Sequence, residues 1–298
     1  MDIAKYISGA KLNVRLAGLV LSNRLLRKDD LAHGYDTAAN TYDNEWLCIL
    51  KPVTDRLLQA MPSLPLGEIY DLGCGTGYTI LTLAKQFPGY RIRGIDISFG
   101  MLARAARNCP TAFFIHADNL HFLSEQPAES AGGIVAAWSL GGSPDLPAEI
   151  AECRRVLNKQ GSFAFIISLA DSMAPVLYAF QQCMYRYPEK VTRALLPRYP
   201  KNWNTLEKLL NRNSFKTVWM EEGKIDISPD NPMHPLCWLL KTGVLAGFET
   251  VLPLRTDKAV ADYFEQELLA SKIPIQHHFI AAIVQPVVIA QECSGLRA

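Results

Sequence analysis

An alternation of strand-like and helix-like segments across residues 68–168 constrains the fold of this chain more than any other feature. Short apolar runs typical of buried strands are separated there by longer stretches with helical spacing. Parallel strands need such crossover connections, so the alternation predicts parallel β-α-β units and a doubly wound α/β sheet. The predicted strands lie near residues 68–72, 91–96, 112–116, 132–138 and 161–168, and the predicted helices near 76–87, 98–108 and 145–158.

Segments of different character flank this alternation. Gly161 predicts the end of the last of these helices, and Pro62, Pro65 and Gly67 mark a loop before the first strand. Outside the core we predict helices near residues 3–27, 42–61, 233–246 and 258–271, and strands near 215–220 and 278–284. The resulting regions are an N-terminal helical cap at 1–66, an α/β core at 67–169, a helical substrate lid inserted at 170–214, and C-terminal strands and helices that complete a mostly parallel seven-stranded sheet at 215–298.

The overall charge and the cysteines restrict the class of protein. The formal charge is +1 over 298 residues, which gives no electrostatic reason to expect nucleic acid as a partner. Cysteines without a C-x-x-C pair favour reduced thiols in a cytoplasmic protein and predict no metal site. The apolar run at residues 16–21 is too short for a transmembrane segment or a signal peptide. We interpret the basic N-terminal helix as lying on the domain, with contact to a membrane surface or a partner as the alternative.

A glycine-rich turn follows the first predicted strand and precedes a predicted helix. Its glycines, Gly73, Gly75 and Gly77, allow a backbone to approach a ligand closely. A dinucleotide fingerprint requires G-x-G-x-x-G, but Tyr78 occupies the last position of that pattern. A dinucleotide-dependent dehydrogenase is therefore disfavoured, and a tight turn without any ligand is the remaining structural alternative.

Two carboxylates accompany this turn. Asp96 ends the second predicted strand, where a carboxylate accepts hydrogen bonds from the hydroxyls of an adenosine ribose. Asp71 directly precedes the turn, where it would repel a pyrophosphate and attract a cationic amine. Together the two acids indicate an adenosine that carries a cationic amino acid.

With these residues the chain resembles the class I S-adenosylmethionine-dependent methyltransferases over roughly residues 33–168. The resemblance rests on the Asp71-x-Gly73-x-Gly75-x-Gly77 turn and on residues 94–98, 101–105, 114–120 and 149–161. It implies a Rossmann-like fold with S-adenosyl-L-methionine as the cofactor. The cofactor contacts that it implies are Tyr35, Tyr42, Asp71, Gly73, Gly75, Gly77, Asp96, Ile97, Met101, Asp118, Asn119, Trp138 and Ser139.

The resemblance also gives roles to some of these residues. Asp118 and Asn119 match a segment that contacts the adenine, and Tyr35 and Tyr42 match a cap segment that closes over the cofactor in relatives acting on small molecules. The fourth strand departs from the family pattern because it lacks the usual acid at its start. This departure motivates one alternative, an enzyme of the same fold that uses the cofactor for cyclisation or decarboxylation. A non-catalytic cofactor-binding protein is the other alternative.

Methyl transfer from a sulfonium depends mainly on positioning, so dedicated catalytic side chains are few. A hydroxyl or acidic carbon still needs a base, for which His33, His116 and His121 are candidates by their proximity to the motifs. A structural role is the more common one for each such lone histidine. The chain lacks the Asn/Asp-Pro-Pro-aromatic run of enzymes that methylate DNA and glutamine, which favours a small-molecule acceptor over nucleic acid.

The predicted lid contains the aromatic and basic residues that suggest an acceptor pocket. They favour a small metabolite that is anionic, or an acyl group bound to a carrier; the alternative is core aromatics beside a solvated basic face. The oligomeric state stays open, with a homodimer as one candidate. The residues concerned are Tyr178, Phe180, Tyr185, Tyr187, Tyr199 and Trp203, with Arg186, Lys190, Arg193, Arg198, Lys201, Lys208 and Arg212.

Overall fold

The computed structural model describes residues 3–143, 145–195, 199–227 and 234–288. Arg198 of the predicted lid and residues 289–298 of the predicted C-terminal region lie outside these ranges. Within them the chain forms seven strands: β1 (Glu68–Leu72), β2 (Ile92–Asp96), β3 (Phe113–His116), β4 (Ala131–Ala137), β5 (Leu157–Ser168), β6 (Phe215–Asp226) and β7 (Gln276–Pro286). The helices are α1 (Ile3–Leu21), α2 (Lys28–Ala38), α3 (Cys48–Gln59), α4 (Tyr78–Gln86), α5 (Phe99–Asn108), α6 (Asn119–Glu125), α7 (Leu146–Val156), α8 (Ala174–Arg186), α9 (Trp203–Arg212), α10 (Pro235–Thr242), α11 (Phe248–Val251) and α12 (Lys258–Ala270).

The strands form one sheet in the order β3-β2-β1-β4-β5-β7-β6. Strands β1 to β5 pair in parallel, whereas β7 runs antiparallel to both β5 and β6. The predicted mostly parallel seven-stranded α/β sheet is therefore confirmed. Because β7 is antiparallel, its beginning lies at the same edge of the sheet as the carboxyl ends of the parallel strands.

Helices cover both faces of the sheet, as a doubly wound fold requires. On one face α3, α4 and α5 bury side chains such as Leu57, Leu83 and Leu102 against the strands. On the other face α6, α7 and α9 do the same, for example with Leu123 and Ile150. The central strands are buried on both sides, which explains why β4 has no charged or polar side chain.

A third hydrophobic cluster lies apart from these two layers and forms what we call the cap. The buried residues of this cluster come mainly from α1, α8 and α10 to α12 and include Leu12, Val176, Leu239 and Phe264. We count α2 with the cap because it packs against α10. Its segments come from the N-terminus, from the connection after β5 and from the connection between β6 and β7. The predicted lid at 170–214 is therefore divided, because α8 joins the cap whereas Leu206 and Leu210 of α9 pack on the sheet.

Several element boundaries differ from the sequence predictions. Helix α1 ends at Leu21 instead of continuing to residue 27, and the short helices α2 and α6 were not predicted. Helix α7 ends at Val156, and Gly161 lies within β5 instead of capping the helix. The register between β4 and β5 shifts near this glycine, and a Cβ there would stand 2.9 Å from the Gly132 carbonyl oxygen. Close backbone packing therefore explains this glycine better than a helix end does.

No helix in the described part of the chain combines the length and the apolar character that a membrane span needs.

Candidate active site

A cavity of about 200 Å³ lies between the cap and the edge of the sheet where the parallel strands end. Residues at or just after the ends of β1, β2, β3, β4 and β5 line it, together with the beginning of β7. This is the edge at which ligands bind in open α/β sheets. Of the thirteen predicted cofactor contacts, eleven line this cavity: Tyr35, Tyr42, Gly73, Gly75, Asp96, Ile97, Met101, Asp118, Asn119, Trp138 and Ser139.

The three glycines of the turn all adopt left-handed backbone conformations, but they serve different purposes. A Cβ on Gly73 would lie 2.3 Å from the Ser139 Cβ, so this glycine permits β1 and β4 to approach each other at their ends. A Cβ on Gly75 would meet no atom within 4 Å, because this residue faces the open cavity. Gly77 packs instead against Ala105 of α5 and is absent from the cavity wall. Of the three glycines, Gly73 and Gly75 thus border the cavity.

Asp96 fixes the turn from the end of β2. One carboxylate oxygen accepts a hydrogen bond from the Gly75 N–H at 2.9 Å, and the other accepts from the Ser98 N–H at 2.8 Å. Burial raises the pKa of this carboxyl, and these amide hydrogen bonds oppose the rise. Two carboxylate oxygens offer about four acceptor positions. Positions that remain are available to hydroxyl groups of a ligand in the cavity.

Asp71 is a buried carboxyl group without a partner. Only 1% of the residue is exposed, and neither carboxylate oxygen has a hydrogen-bond partner among the described residues. Burial raises its pKa well above the usual range, and the nearby charge of Asp96 adds to the effect. Asp71 lies behind the turn instead of in the cavity wall. An uncompensated negative charge at this depth favours a cation close by.

We expect Asp71→Asn to change how the stability of the ligand-free protein depends on pH. A carboxyl whose pKa is raised in the folded state contributes stability below its ordinary pKa, 3.8, and this contribution is lost as the pH rises through the raised value. The free energy of unfolding of the wild type should therefore fall with rising pH relative to that of the variant. Urea denaturation at several pH values above 4 measures this difference. Parallel curves for the two proteins would contradict an unpartnered, protonatable Asp71.

The segment after β3 carries a small polar cluster. Asp118 caps α6 by accepting from the His121 N–H at 3.1 Å, and it also pairs with Lys28 of α2. Asn119 donates to the buried Glu149 at 3.1 Å. Lys28 and Glu149, which the sequence analysis did not identify, line the cavity beside the predicted Asp118 and Asn119. The ion pair between Lys28 and Asp118 joins the cap to the sheet at this end.

Two tyrosines of the cap segment cover the cavity. Burial is the main cause that raises the pKa of both Tyr35 and Tyr42, so both phenols stay neutral in the physiological range. Gly34 positions the first of them, because a Cβ at this residue would stand 2.6 Å from the Ala246 Cα. This close packing holds α2 against the turn after α10. The predicted cap segment is thus located over the cavity.

None of the three candidate histidines lines the cavity. His33 and His121 are exposed, and the exposed His116 stacks on Phe99 with ring centroids 3.5 Å apart. A different histidine, His277 at the beginning of β7, lines the cavity and is only 6% exposed. The sequence analysis did not include His277 among the candidate bases. The antiparallel direction of β7 would have indicated its position, because it brings the beginning of this strand to the edge of the sheet where the parallel strands end.

Trp138 closes the end of β4 in an unusual conformation. Its φ is 70°, a left-handed value that is uncommon for a residue other than glycine. The backbone N–H donates to the Ile166 carbonyl at 2.9 Å, and the indole N–H donates to the Thr54 hydroxyl at 3.0 Å. Such strain persists only where surrounding contacts hold it, and it is common at functional sites. It places the indole ring in the cavity wall beside His277, with ring centroids 4.9 Å apart.

The basic residues of the predicted lid point elsewhere. Lys190 pairs with Asp257 at 2.5 Å, and Arg193 lies 3.6 Å from Asp30. Among the described basic residues of the segment, none lines the cavity; of its aromatic residues, Tyr199 does. These basic residues therefore form a solvated face, the alternative given in the sequence analysis, and do not form an anion-binding pocket in the described part of the chain.

Comparison with known proteins agrees with this geometry. Residues 69–161 match the family model described as a methyltransferase domain. This segment is therefore similar to the methyltransferase domains that the family model describes. The matched segment contains the glycine turn, Asp96, the polar cluster after β3 and the strained Trp138, so most of the sheet-edge wall of the cavity lies within it.

Individual relatives match the methyltransferase domain and little beyond it. The chain is 39% identical over 84 residues to the trans-aconitate 2-methyltransferase of Paracidovorax citrulli, a match that covers 28% of this chain and 32% of that protein. It is 28% identical over 167 residues to the malonyl-[acyl-carrier protein] O-methyltransferase of Serratia marcescens, covering 54% and 61% of the two chains. The chain thus spans less than two thirds of the length of each relative.

A solved structure confirms the fold beyond the methyltransferase domain itself. The YcgJ protein from Bacillus subtilis superposes with a TM-score of 0.52 at 15% identity, covering 80% of this chain and all of that one. At this identity the likeness establishes the Rossmann-like architecture alone.

Proposed function

We propose that the chain is an S-adenosyl-L-methionine-dependent methyltransferase that acts on a small-molecule metabolite. One observation carries the proposal: the glycine turn, Asp96 and the polar cluster after β3 meet at a single capped cavity within a methyltransferase domain. The curated relatives are named for methylation of trans-aconitate and of malonyl groups on a carrier protein, which supports a small or carrier-bound acceptor.

The residues at this end of the cavity fit the cofactor. Gly75 leaves open the space that a side chain would fill, and Asp96 keeps acceptor positions for the ribose hydroxyls. Asp118 and Asn119 lie in the wall where the adenine contact is expected. Asp71, behind the turn, is a buried carboxyl without a partner, and a cationic amino group close by would stabilise its charged form. Asp96 thus suits the ribose, Asp71 suits the amino group, and the polar cluster after β3 suits the adenine. Gly75 leaves room for the cofactor.

When bound there, S-adenosylmethionine supplies a methyl group on a positively charged sulfur. The chain itself contributes position and exclusion of water, the two factors on which such a transfer depends. Tyr35 and Tyr42 cover the cavity from the cap, and Trp138 and Ser139 close its floor at the end of β4. The Ser139 hydroxyl donates to the Leu72 carbonyl at 2.5 Å, which ties this floor to the strand before the glycine turn.

Calorimetry tests the cofactor assignment directly. We expect S-adenosylmethionine and S-adenosylhomocysteine to bind the full chain with one site each, and NAD to give no measurable heat. Binding of NAD without binding of the two sulfur compounds would refute the proposal.

Transfer of the methyl group needs a separate experiment. Incubation with methyl-labelled S-adenosylmethionine and a metabolite extract should place the label in a small molecule. Cofactor binding without label transfer to any metabolite, carrier protein or nucleic acid would favour the non-methyl chemistry or the binding-protein alternative.

We also propose a cytoplasmic location and a homodimer. The free cysteines of the described chain support the location. Light scattering would test the oligomeric state.

A further inference from the structure

The order of the strands divides the cavity into two halves. Strands β3, β2 and β1 lie on one side of β4, and β5 and β7 lie on the other. The glycines and carboxylates assigned to the cofactor lie at or just after the ends of β1, β2 and β3, and Trp138, at the end of β4, lies at the boundary between the two halves. The opposite wall includes six residues at the ends of β4 and β5, at the beginning of β7 and in the adjoining helix: Trp46, Leu50, Ala137, Trp138, Ser168 and His277. We call this set the acceptor half.

The acceptor half is apolar and aromatic in character. The charged residues that line the cavity in the described chain are Lys28, Asp96, Asp118 and Glu149. Each belongs to the cofactor side, since Lys28 pairs with Asp118 and Glu149 accepts from Asn119. The acceptor half as defined contains no charged side chain. Its polar groups are the indoles, the Ser168 hydroxyl and the His277 imidazole.

Ser168 and His277 form a hydrogen-bonded pair in this wall. The His277 Nε2 lies 2.7 Å from the Ser168 Oγ across the β5–β7 pairing. The imidazole packs between Trp46 and Trp138, at 5.6 and 4.9 Å between ring centroids. Its second nitrogen, Nδ1, is buried and has no partner among the described residues. A half-buried serine and a buried histidine therefore face the cavity as one unit.

Burial decides the direction of this hydrogen bond. It lowers the pKa of His277 to about 4, so the ring is neutral at physiological pH and carries one proton. A proton on Nδ1 would leave a buried N–H without an acceptor, which is rarer in proteins than an unsatisfied acceptor. The proton accordingly resides on Nε2 and is donated to the Ser168 Oγ. The Ser168 hydroxyl is then left to donate its own proton into the cavity.

We infer that the acceptor half binds an uncharged molecule with an apolar, aromatic body, and that the Ser168 hydroxyl, held by His277, donates a hydrogen bond to an oxygen of this molecule. Ser168 is the contact and His277 is the positioning residue. The inference rests on the proposed function and narrows its substrate class. It also separates this chain from the relatives named above, whose named substrates are an acid and a malonyl thioester.

Probes of matched size test the inference with the full chain saturated by S-adenosylhomocysteine. Tryptophan fluorescence measures the dissociation constants of 2-naphthol, 2-methylnaphthalene and 2-naphthoate. We expect 2-naphthol to bind more tightly than 2-naphthoate. Loss of one neutral hydrogen bond should raise the dissociation constant of 2-naphthol, relative to that of 2-methylnaphthalene, by about tenfold in Ser168→Ala and in His277→Phe. His277→Gln keeps an N–H donor and should recover part of the selectivity.

The matched control is His278→Gln, because His278 is the next residue of β7 but contacts Asp171 and Glu222 outside the cavity. Its probe selectivity should equal that of the wild type. An unchanged ratio in both Ser168→Ala and His277→Phe would overturn the inference, as would a failure of both uncharged probes to bind. Tighter binding of 2-naphthoate than of 2-naphthol would also overturn it. If Arg198→Ala then lost the binding of 2-naphthoate, the cation that binds its carboxylate would be Arg198, a residue outside the described ranges. Failure of S-adenosylhomocysteine itself to bind would instead count against the proposed function.

Discussion

Replacing Asp96 with alanine should weaken S-adenosylmethionine binding by about 1–3 kcal/mol, or roughly 5- to 150-fold in the dissociation constant. The structure gives two reasons for a loss of this size. The variant lacks the acceptor positions proposed for the ribose hydroxyls, and it also leaves the Gly75 and Ser98 N–H groups without their carboxylate partner. The second effect loosens the glycine turn itself.

Calorimetry on two further variants separates these effects. Asp96→Asn keeps one carbonyl acceptor and should lie between the wild type and Asp96→Ala in affinity. Asp262→Asn removes a carboxylate from an exposed ion pair with Lys258 on the cap and should leave the affinity unchanged. Equal affinities of the wild type and Asp96→Ala would refute the assignment of this residue to the cofactor.

Alanine at Gly73 should mainly reduce stability and alanine at Gly75 should mainly reduce cofactor affinity, although both residues have left-handed backbone conformations. In Gly73→Ala the new Cβ would stand 2.3 Å from the Ser139 Cβ, so β1 and β4 must separate at their ends. Overpacking of this kind costs about 1–3 kcal/mol, and the left-handed conformation adds about 1–2 kcal/mol. We therefore expect the free energy of unfolding to fall by about 2–5 kcal/mol.

In Gly75→Ala only the conformational cost of about 1–2 kcal/mol applies to stability, because the new Cβ points into open space. That space is where we place the cofactor, so this variant should lose most of its affinity while remaining the more stable of the two. Urea denaturation of the ligand-free variants and calorimetry with S-adenosylhomocysteine give the two readouts. If Gly75→Ala binds like the wild type, the turn does not contact the cofactor.

The sequence predicted the sheet and the cofactor side because their signals are local. The parallel strands contain short apolar runs, of which β4 is the clearest, and the turn, Asp96 and Asp118 each occupy a fixed place at or just after the end of a strand. The short helix α6 escaped prediction although Asp118 is its N-cap, since an acid in a recognised motif was assigned to the ligand and not to the helix. The Asp118 side chain both caps the N-terminus of α6 and lines the cavity.

The acceptor half could not be predicted in the same way. Trp46, Ser168 and His277 are separated by more than a hundred positions from one another, and no local pattern relates them. Their meeting depends on the antiparallel insertion of β7 beside β5 and on the packing of residues before α3 under the cap. His277 also resembles an ordinary core residue of a strand, and only the three-dimensional arrangement shows that its buried face borders a cavity.

The position of β7 in the sheet has a consequence for the order of folding. This strand is the last of the seven to leave the ribosome, yet it occupies the slot between β5 and β6. A nascent chain that already contains β1 to β5 has every strand of the cofactor side, but its β5 edge is unpaired and His277 is not yet present. The two halves of the cavity are therefore completed at different times during synthesis. The unpaired edge of β5 is the surface that a chaperone would need to shield in the interval.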